Sequence, residues 1–240
     1  MKMNKNTKKV SKRVSTGIFN LDSIIGKGFK LNSINLVAGG AGSAKTIFAI
    51  QFLIEGIIKN KEPGIYITFE EKKEKLYDDM LSFGWDLAKL EKEEKFVFLE
   101  YTPEQVKKVL VEGGGTVESL INKIKAKRLV IDSITSFALL YSDELERKEA
   151  SLALMDLINT WECTALLTSQ DESKDGNTIS AALEFEVDSI ILLYYIRIKG
   201  NRVRAIEILK MRGTKHLERT FSFEISNKGL VVHPNKKVIF

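Results

Sequence analysis

The sequence predicts an α/β fold with a mostly parallel, twisted sheet flanked by helices and with antiparallel strands near the C-terminus. Short apolar strand patterns alternate with helical patterns through the first two-thirds of the 240 residues. A glycine-rich loop joins an early strand directly to a long apolar helix, and several short strands follow one another late in the chain. Strands that alternate with helices form parallel sheets, and successive strands without helices between them pair antiparallel.

Each element depends on a local pattern, taken here in chain order. Residues 15–28 form a short apolar lead-in that ends at glycines. Helices are predicted where apolar side chains recur three and four positions apart, and strands where short apolar runs end at turn residues. The predicted helices are residues 47–58, 72–82, 103–112, 117–124 and 145–161. The predicted strands are residues 34–38, 65–69, 96–101, 129–131, 165–168, 190–196, 203–209, 220–225 and 230–233.

The composition, with 44% apolar and 29% charged residues, is typical of a soluble globular protein. No apolar run approaches the length of a membrane span, and the N-terminus has no apolar signal core. The single Cys163 excludes an intrachain disulfide and favours a cytoplasmic protein. No cluster of cysteine and histidine predicts a zinc site.

The net charge of +5 is concentrated at the N-terminus. Residues 1–13 contain six basic residues and no acid, which leaves residues 14–240 with a net charge of −1. A basic tail is usually a solvated arm, and the alternative is an arm that contacts nucleic acid weakly. We therefore predict a basic, disordered tail at residues 1–13 and one folded domain at residues 14–240, with no membrane partner.

The glycine-rich stretch at residues 39–46 has the context of a phosphate-binding loop, because it follows a buried strand and opens a helix. Backbone N–H groups of such a loop surround phosphate oxygens, and the positive end of the helix dipole assists them. Lys45 would reach the outer phosphates, and the Thr46 hydroxyl would ligate Mg²⁺. The predicted nucleotide-binding residues of the loop are Gly39, Gly40, Ala41, Gly42, Ser43, Ala44, Lys45 and Thr46.

Ala44 departs from the usual loop pattern, which has a glycine immediately before the lysine. Glycine is used where the backbone approaches a ligand closely or has a positive φ. The alanine adds a methyl group beside the phosphate path, and we expect it to affect the reaction rate more than nucleotide binding. The alternative interpretation of the stretch is a glycine-rich turn with an accidental Lys-Thr pair.

Three acidic residues directly follow two of the predicted strands: Asp132 follows residues 129–131, and Glu70 and Glu71 follow residues 65–69. In an open α/β sheet, ligands bind beyond the carboxyl ends of the strands, so the fold would gather these acids beside the phosphate loop. Asp132 would then serve Mg²⁺, and Glu70 would be the general base. The alternatives are a strand-end Asp that caps a turn and a solvated acidic pair that opens a helix.

Two cations lie near the end of the predicted strand that begins at residue 203. Residues of equal parity share a face of an extended strand, so Lys210 and Arg212 are expected side by side, on the face of Arg204. Two cations at this position would suit a γ-phosphate, as an arginine finger does. The alternative is a solvated basic strand end, and His216 taken alone is typical of a surface histidine.

Five longer motifs carry a resemblance to a known family. They are IYITFEE (65–71), SFGWDLAKL (82–90), LVIDSIT (129–135), ILKMRGTKH (208–216) and FEISNKGLVV (223–232). In this order they resemble the KaiC group of RecA-superfamily ATPases over about residues 15–235. The resemblance implies a RecA-like P-loop NTPase core with ATP and Mg²⁺ as cofactors. It also implies assembly into a ring, expected to be a homohexamer, with ATP between the subunits.

The resemblance further implies roles for individual residues. Glu70 and Glu71 would be the catalytic acids, and Lys210 and Arg212 would act on the nucleotide of the neighbouring subunit. The residues implied to lie near the base or ribose are Ser82 on one side of the interface and Arg204, His216 and Asn227 across it.

Two departures from the family pattern are visible. This chain carries one such domain, whereas the clock protein that names the group has two. Glu184 and Phe185 stand where the autophosphorylated half of that protein has adjacent Ser and Thr, so self-phosphorylation is not expected there.

Three classes of function follow: a slow ring-forming Mg-ATPase in regulation or assembly, a DNA-binding paralogue of the RecA or RadA type, and an ATP-binding scaffold with little hydrolysis. The polar loop at residues 169–178 counts against DNA binding, because it carries one lysine against three acids. Glu70 and Glu71 count against the scaffold. We therefore expect an enzyme that converts ATP to ADP and phosphate.

Overall fold

The computed structural model describes residues 12–102, 105, 108–109, 113, 115–170 and 186–239. Within them the chain has the predicted α/β architecture, with a mostly parallel sheet and helices on both of its faces. Residues 1–11 of the predicted tail, most of the predicted helix at 103–112 and the polar loop beyond residue 170 lie outside the described residues, as do Glu184 and Phe185.

The described residues form two sheets. Their strands are β1 Arg13–Val14, β2 Phe29–Lys30, β3 Ile34–Gly39, β4 Gly64–Thr68, β5 Phe96–Glu100, β6 Arg128–Asp132, β7 Thr164–Gln170, β8 Ser189–Ile198, β9 Asn201–Met211, β10 Thr220–Ser226 and β11 Gly229–Lys237. β1 and β2 pair with each other, and the remaining strands form one sheet in the order β11-β10-β9-β8-β3-β7-β6-β4-β5. The strands from β8 to β5 in that order run parallel, and β9, β10 and β11 pair antiparallel, as predicted.

The helices are α1 Leu21–Ile24, α2 Lys45–Glu55, α3 Lys73–Leu81, α4 Leu87–Lys92, α5 Gly115–Ile124, α6 Ile134–Ala138 and α7 Glu144–Thr160. Helices α2, α3, α5 and α7 lie close to their predicted positions, whereas α1, α4 and α6 are additional to the predicted ones. Asp143 caps α7 by accepting hydrogen bonds from the N–H groups of Leu145 and Glu146, at 2.9 and 3.0 Å. Such a cap satisfies N–H groups that have no partner inside the helix.

Helix α2 continues as a π-helix over Gly56–Asn60, and a buried arginine lies against this turn. Arg128 is fully buried and donates hydrogen bonds to the carbonyls of Phe52, at 2.7 Å, and Ser15, at 2.9 Å. A Cβ atom at Gly56 would lie only 2.1 Å from Arg128 Nε. Glu62 supplies the opposite charge, with its Oε2 2.7 Å from Arg128 Nη2.

Two apolar clusters cover the two faces of the sheet. One contains α2 residues such as Phe48 and Phe52 with Phe221 and Phe223 of β10. The other contains residues of α5, α6 and α7, among them Ile121 and Ile158. Because helices cover both faces, the carboxyl ends of the parallel strands are where polar groups can gather.

The lead-in before β3 packs on the folded body, and this includes Arg13, which the sequence analysis assigned to the tail. The Arg13 guanidinium donates to the Gly28 carbonyl at 3.1 Å and to Thr214 Oγ1 at 2.7 Å. Arg13 is therefore fixed to the domain by contacts that span most of the chain. Among the described residues, no helix has the length and apolar character needed to cross a membrane.

Candidate active site

The strand register brings the predicted loop and acids together at the carboxyl ends of the parallel strands, which form one edge of the sheet. β3 ends at Gly39, where the glycine-rich loop begins. In the neighbouring strands, Thr68 of β4 pairs with Asp132 of β6. The pairing of β6 with β7 continues to Ile131 and Leu167, which leaves Thr168 beside Asp132. The carboxyl ends of β3, β4 and β6 thus meet at one edge, as the sequence predicts.

The loop at residues 39–46 is held in a compact turn by its own groups. Lys45 Nζ donates to the carbonyls of Gly39 and Gly40 at 2.8 and 3.1 Å, and the Ser43 N–H donates to the Gly40 carbonyl at 3.3 Å. Burial lowers the pKa of the Lys45 ammonium, and the charges of Asp132 and Glu70 act in the opposite direction. The carbonyl contacts keep the ammonium at the loop, where phosphate oxygens would replace them.

Ala44 has a left-handed conformation, with φ 77° and ψ 27°. This conformation favours glycine because a Cβ atom crowds the following carbonyl. The position before the lysine therefore demands a positive φ in this fold, and the alanine adopts it at some energetic cost. The structure thus gives a conformational reason for the glycine that the usual pattern has there.

Asp132 is buried, with 8% of its surface exposed, and three hydroxyl groups hold its carboxylate. Its Oδ2 accepts from Thr46 Oγ1 at 3.0 Å and from Tyr66 Oη at 2.7 Å, and its Oδ1 accepts from Thr168. Burial raises the pKa of the Tyr66 phenol well above its ordinary value, and the charge of Asp132 adds to this. Tyr66 therefore stays a proton donor to the carboxylate.

Glu70 lies on the turn that follows β4, next to the start of α6. Its backbone N–H and that of Glu71 both donate to Thr68 Oγ1, at 3.2 and 3.1 Å. Glu70 Oε1 accepts from Ser133 Oγ at 3.2 Å and from Ser136 Oγ. Two hydroxyls therefore orient the exposed Glu70 carboxylate from the neighbouring strand end.

The residues present fit a magnesium nucleotide. The Thr46 O–H donates a hydrogen bond to Asp132, so the lone pairs of its oxygen stay available to a cation. Mg²⁺ takes six oxygen ligands and usually obtains most of them from waters and phosphates. Among the described residues, no group of three or more His, Cys, Asp or Glu side chains is placed to hold a metal.

Lys210 and Arg212 lie near the amino ends of the parallel strands. These ends form the edge of the sheet opposite to the one with the loop of the same chain. Gly39 at the end of β3 pairs with Leu193, whereas Met211 pairs with Ser189, which in turn pairs with Asn35 near the start of β3. Lys210 Nζ donates to the Val187 carbonyl at 2.8 Å. The structure therefore brings Lys210 and Arg212 together, but away from their own phosphate loop.

The prediction that these two cations share the face of Arg204 is wrong, because β9 contains a bulge. Ile191 pairs with Ile208, but Ile190 pairs with Lys210, so β9 has one extra residue at this point. An extra residue in a strand reverses the alternation beyond it. Ile208 accordingly lies in one core cluster with Met211, and Ile190, the partner of Lys210, lies in the other.

The other residues that the resemblance implied are spread over several positions. Arg204 lies beside its own phosphate loop, with Nη2 3.4 Å from the Gly42 carbonyl. Ser82 follows α3 and donates to the Asp79 carbonyl at 2.7 Å, and Asn227 is exposed in the β10–β11 turn. Nδ1 of the half-buried His216 makes no hydrogen bond within the described part of the chain.

Four side chains that contact the predicted acids had not been singled out from the sequence. Tyr66 and Thr168 hold Asp132, and Ser133 and Ser136 hold Glu70. Ser133 also caps α6 by accepting from the Ser136 N–H. A search for hydroxyl residues at strand ends beside a phosphate loop would have found Thr168 and Ser133.

A parallel sheet that gathers a phosphate loop and a carboxylate from a nearby strand defines the chain as a RecA-like P-loop ATPase domain. A family model described as "ATPase: KaiC" matches residues 14–237, and the chain belongs to this family.

Curated relatives of two lengths are similar to the chain. Circadian clock protein KaiC3 of Synechocystis sp. is 35% identical over 231 residues, which are 92% of this chain and 46% of that protein. The chain thus spans about half the length of that clock protein. A UPF0273 protein of Thermotoga maritima is 34% identical over 240 residues, covering 94% of this chain and 97% of that protein.

Among solved structures, the crystal structure of a KaiC-like protein from Pyrococcus horikoshii OT3 matches with a TM-score of 0.84 at 34% identity. The match covers 94% of this chain and 100% of that chain.

Proposed function

We propose that the chain binds ATP with Mg²⁺ in its phosphate loop and hydrolyses it slowly to ADP and phosphate. One observation carries this proposal: Lys45, Thr46 and Asp132 meet at one edge of the sheet, with Glu70 on the adjoining strand end. Membership of an ATPase family supports it. The left-handed Ala44 is the reason to expect slow turnover.

Each residue has a task that follows from its contacts. Lys45 would exchange its two loop carbonyls for phosphate oxygens and neutralise part of their charge. Thr46 would offer an oxygen lone pair to Mg²⁺ while its O–H donates a hydrogen bond to Asp132. The bound Mg²⁺ would offset charge on the outer phosphates. Glu70, oriented by Ser133 and Ser136, would accept a proton from the attacking water.

Lys210 and Arg212 extend the proposal to an assembly. They lie at the opposite sheet edge from their own loop, so the nucleotide on which they act would be that of a neighbouring subunit. Contacts from one edge to the other edge of the next copy generate a ring when the rotation closes. We propose a ring of such subunits, expected to be a hexamer, with ATP at its interfaces and a role in regulation or assembly.

Two substitutions test the nucleotide site. Lys45→Ala should abolish ATP binding, because the loop loses its only cation among residues 39–46. Glu70→Gln should bind ATP with unchanged affinity but lose most turnover, because an amide cannot accept the proton. Glu74→Gln, in the first turn of α3, is the matched control. Turnover of Glu70→Gln at the unchanged rate would show that Glu70 is not the base.

Ala44 favours one alternative function, an ATP-binding scaffold that hardly hydrolyses. The alternative predicts a chain that binds ATP with Mg²⁺ but shows no ADP in a single-turnover experiment. Product formation in that experiment, lost in Glu70→Gln and retained in Glu74→Gln, supports the ATPase.

A further inference from the structure

The β8–β9 hairpin carries an aromatic–guanidinium pair beside the phosphate loop. Tyr195 of β8 pairs directly with Arg204 of β9, beyond the row in which Leu193 pairs with Gly39. The Arg204 guanidinium carbon lies 4.2 Å from the centroid of the Tyr195 ring. This is the geometry of a cation–π contact, and the two side chains are half-buried.

Both members of this pair touch the same loop residue. Arg204 Nη2 donates to the Gly42 carbonyl at 3.4 Å. A Cβ atom at Gly42 would lie 3.3 Å from Tyr195 Cδ1, so the backbone of Gly42 rests against the tyrosine ring. Gly42 itself has φ 73°, a conformation that needs glycine. The loop is therefore supported at its tip by side chains from a distant part of the same chain.

We propose that Tyr195 and Arg204, hereafter the loop brace, are positioning residues that hold the phosphate loop of their own chain ready for nucleotide. The proposal rests on the proposed ATP site and adds residues that act through the loop backbone. It differs from what the resemblance implied for Arg204, which was a contact with base or ribose across the subunit interface.

The physical argument concerns the direction of peptide groups in the loop. The C=O and N–H of a trans peptide point in opposite directions. The contact of Arg204 with the Gly42 carbonyl therefore turns the Ser43 N–H the other way, where it donates to the Gly40 carbonyl inside the loop. This hydrogen bond closes the turn that the loop must keep for its remaining N–H groups to face a phosphate. Fixing them before nucleotide binds removes an ordering cost from binding.

The brace needs the planar guanidinium in particular. Only a planar group can stack on the ring and donate sideways to a carbonyl at the same time. A lysine would keep the positive charge near the phosphates but lose the stack. Arg202 provides a contrast, because its guanidinium also lies over Tyr195, at 5.2 Å, but donates to the Tyr195 carbonyl at 3.1 Å and is exposed.

The first experiment measures ATP affinity and loop protection in the full chain. Arg204→Ala, Arg204→Lys and Tyr195→Leu should each weaken ATP binding by about tenfold, the effect of one hydrogen bond to a charged group. They should also speed amide hydrogen exchange of Gly42 and Ser43 in the nucleotide-free chain. Arg202→Ala should change neither quantity. Full affinity in Arg204→Lys would show that charge alone suffices and would overturn the brace.

The second experiment decides whether Arg204 serves its own loop or that of a neighbour. Arg204→Ala chains are mixed with Lys45→Ala chains, and ATP turnover is measured below saturation. A brace within the chain predicts that mixing only dilutes the activity, because the chain with an intact Lys45 still lacks its own Arg204. Restored turnover would place Arg204 at the neighbour's site and overturn the proposal.

The same mixing with Arg212→Ala in place of Arg204→Ala should restore turnover if the proposed ring is correct. Failure of the proposed function is separable from failure of the brace. If the unsubstituted chain binds no ATP, the proposed function is wrong. If the amide hydrogen exchange of Gly42 and Ser43 is unchanged in Arg204→Ala and Tyr195→Leu, the loop brace is wrong, whether or not ATP binds.

Discussion

At the scale of single residues, Ala44 shows a conflict between sequence and backbone that can be measured. An L-residue in the left-handed region costs on the order of 1 kcal/mol relative to glycine, partly offset by the greater freedom of glycine in the unfolded chain. Ala44→Gly should therefore raise the free energy of unfolding by up to about 1 kcal/mol, measured by urea denaturation.

The matched control is Ala41→Gly in the same loop. Ala41 is not among the residues with positive φ, so glycine offers it no relief and should lower the free energy of unfolding by about 0.5 kcal/mol. Equal destabilisation by the two substitutions would contradict the conformational argument for Ala44.

The key residues of the site differ in how far the sequence could predict them. Lys45, Thr46 and Asp132 could be placed, because each follows a strand pattern that can be read locally. The contact of Tyr66 and Thr168 with Asp132 depends on strand order and register, which no local pattern encodes. The roles of the site residues in catalysis stay predictions until the substitutions are made.

At the scale of elements, β9 shows how a single extra residue defeats a pattern argument. The alternation of polar and apolar residues predicted one continuous face, but the bulge between Ile208 and Lys210 moves Lys210 to the other face, and β9 ends before Arg212. The α/β class, the parallel strands and the antiparallel strands near the C-terminus were predicted correctly, because they depend on the order of helices and strands along the chain. A bulge adds a single residue that no local pattern in the sequence marks, yet it reverses the alternation of every residue beyond it in the strand.

The N-terminal lead-in gives the second element-scale prediction. Removing residues 1–11 should leave the melting temperature and ATP binding unchanged, because this stretch has few apolar residues to bury. Arg13→Ala in the full chain should lower the melting temperature by a few degrees, since its hydrogen bonds to Gly28 and Thr214 are lost. Lys12→Ala, at an exposed position, is the control.

A large fall in melting temperature after removal of residues 1–11 would show that this stretch packs on the domain. The same truncation tests the DNA-binding alternative. Any DNA affinity of the full chain should fall steeply with salt and largely disappear with residues 1–11, because the remaining residues 12–240 carry a net charge of only +1.

At the scale of the whole molecule, the sheet separates the two halves of the proposed site. The phosphate loop, Asp132 and Glu70 lie at the carboxyl edge of the parallel strands. Lys210 and Arg212 lie at the other edge, held by contacts such as that of Lys210 with the Val187 carbonyl. A rigid sheet cannot bring its own two edges together, so the proposed site, with Lys210 and Arg212 included, would require a second copy of the chain.

This separation leads to a complementation experiment. Glu70→Gln and Arg212→Ala should each be nearly inactive alone, because each removes one half of every site. Arg212 would stabilise charge that develops in the transition state, so its loss should reduce turnover more than ATP binding. In mixed rings, an intact Glu70 meets an intact Arg212 of the next subunit at some interfaces, and turnover measured after mixing should partly return.

The control mixture combines Glu70→Gln with Lys45→Ala. Both residues lie at the same edge of one chain, so no interface in that mixture has an intact loop and an intact base together, and turnover should stay low. Light scattering checks that rings form in each mixture with ATP and Mg²⁺. Turnover that does not return with Arg212→Ala, in rings shown to be mixed, would mean that Arg212 serves its own subunit or none. A chain that stays monomeric at saturating ATP and Mg²⁺ would contradict the shared site more directly.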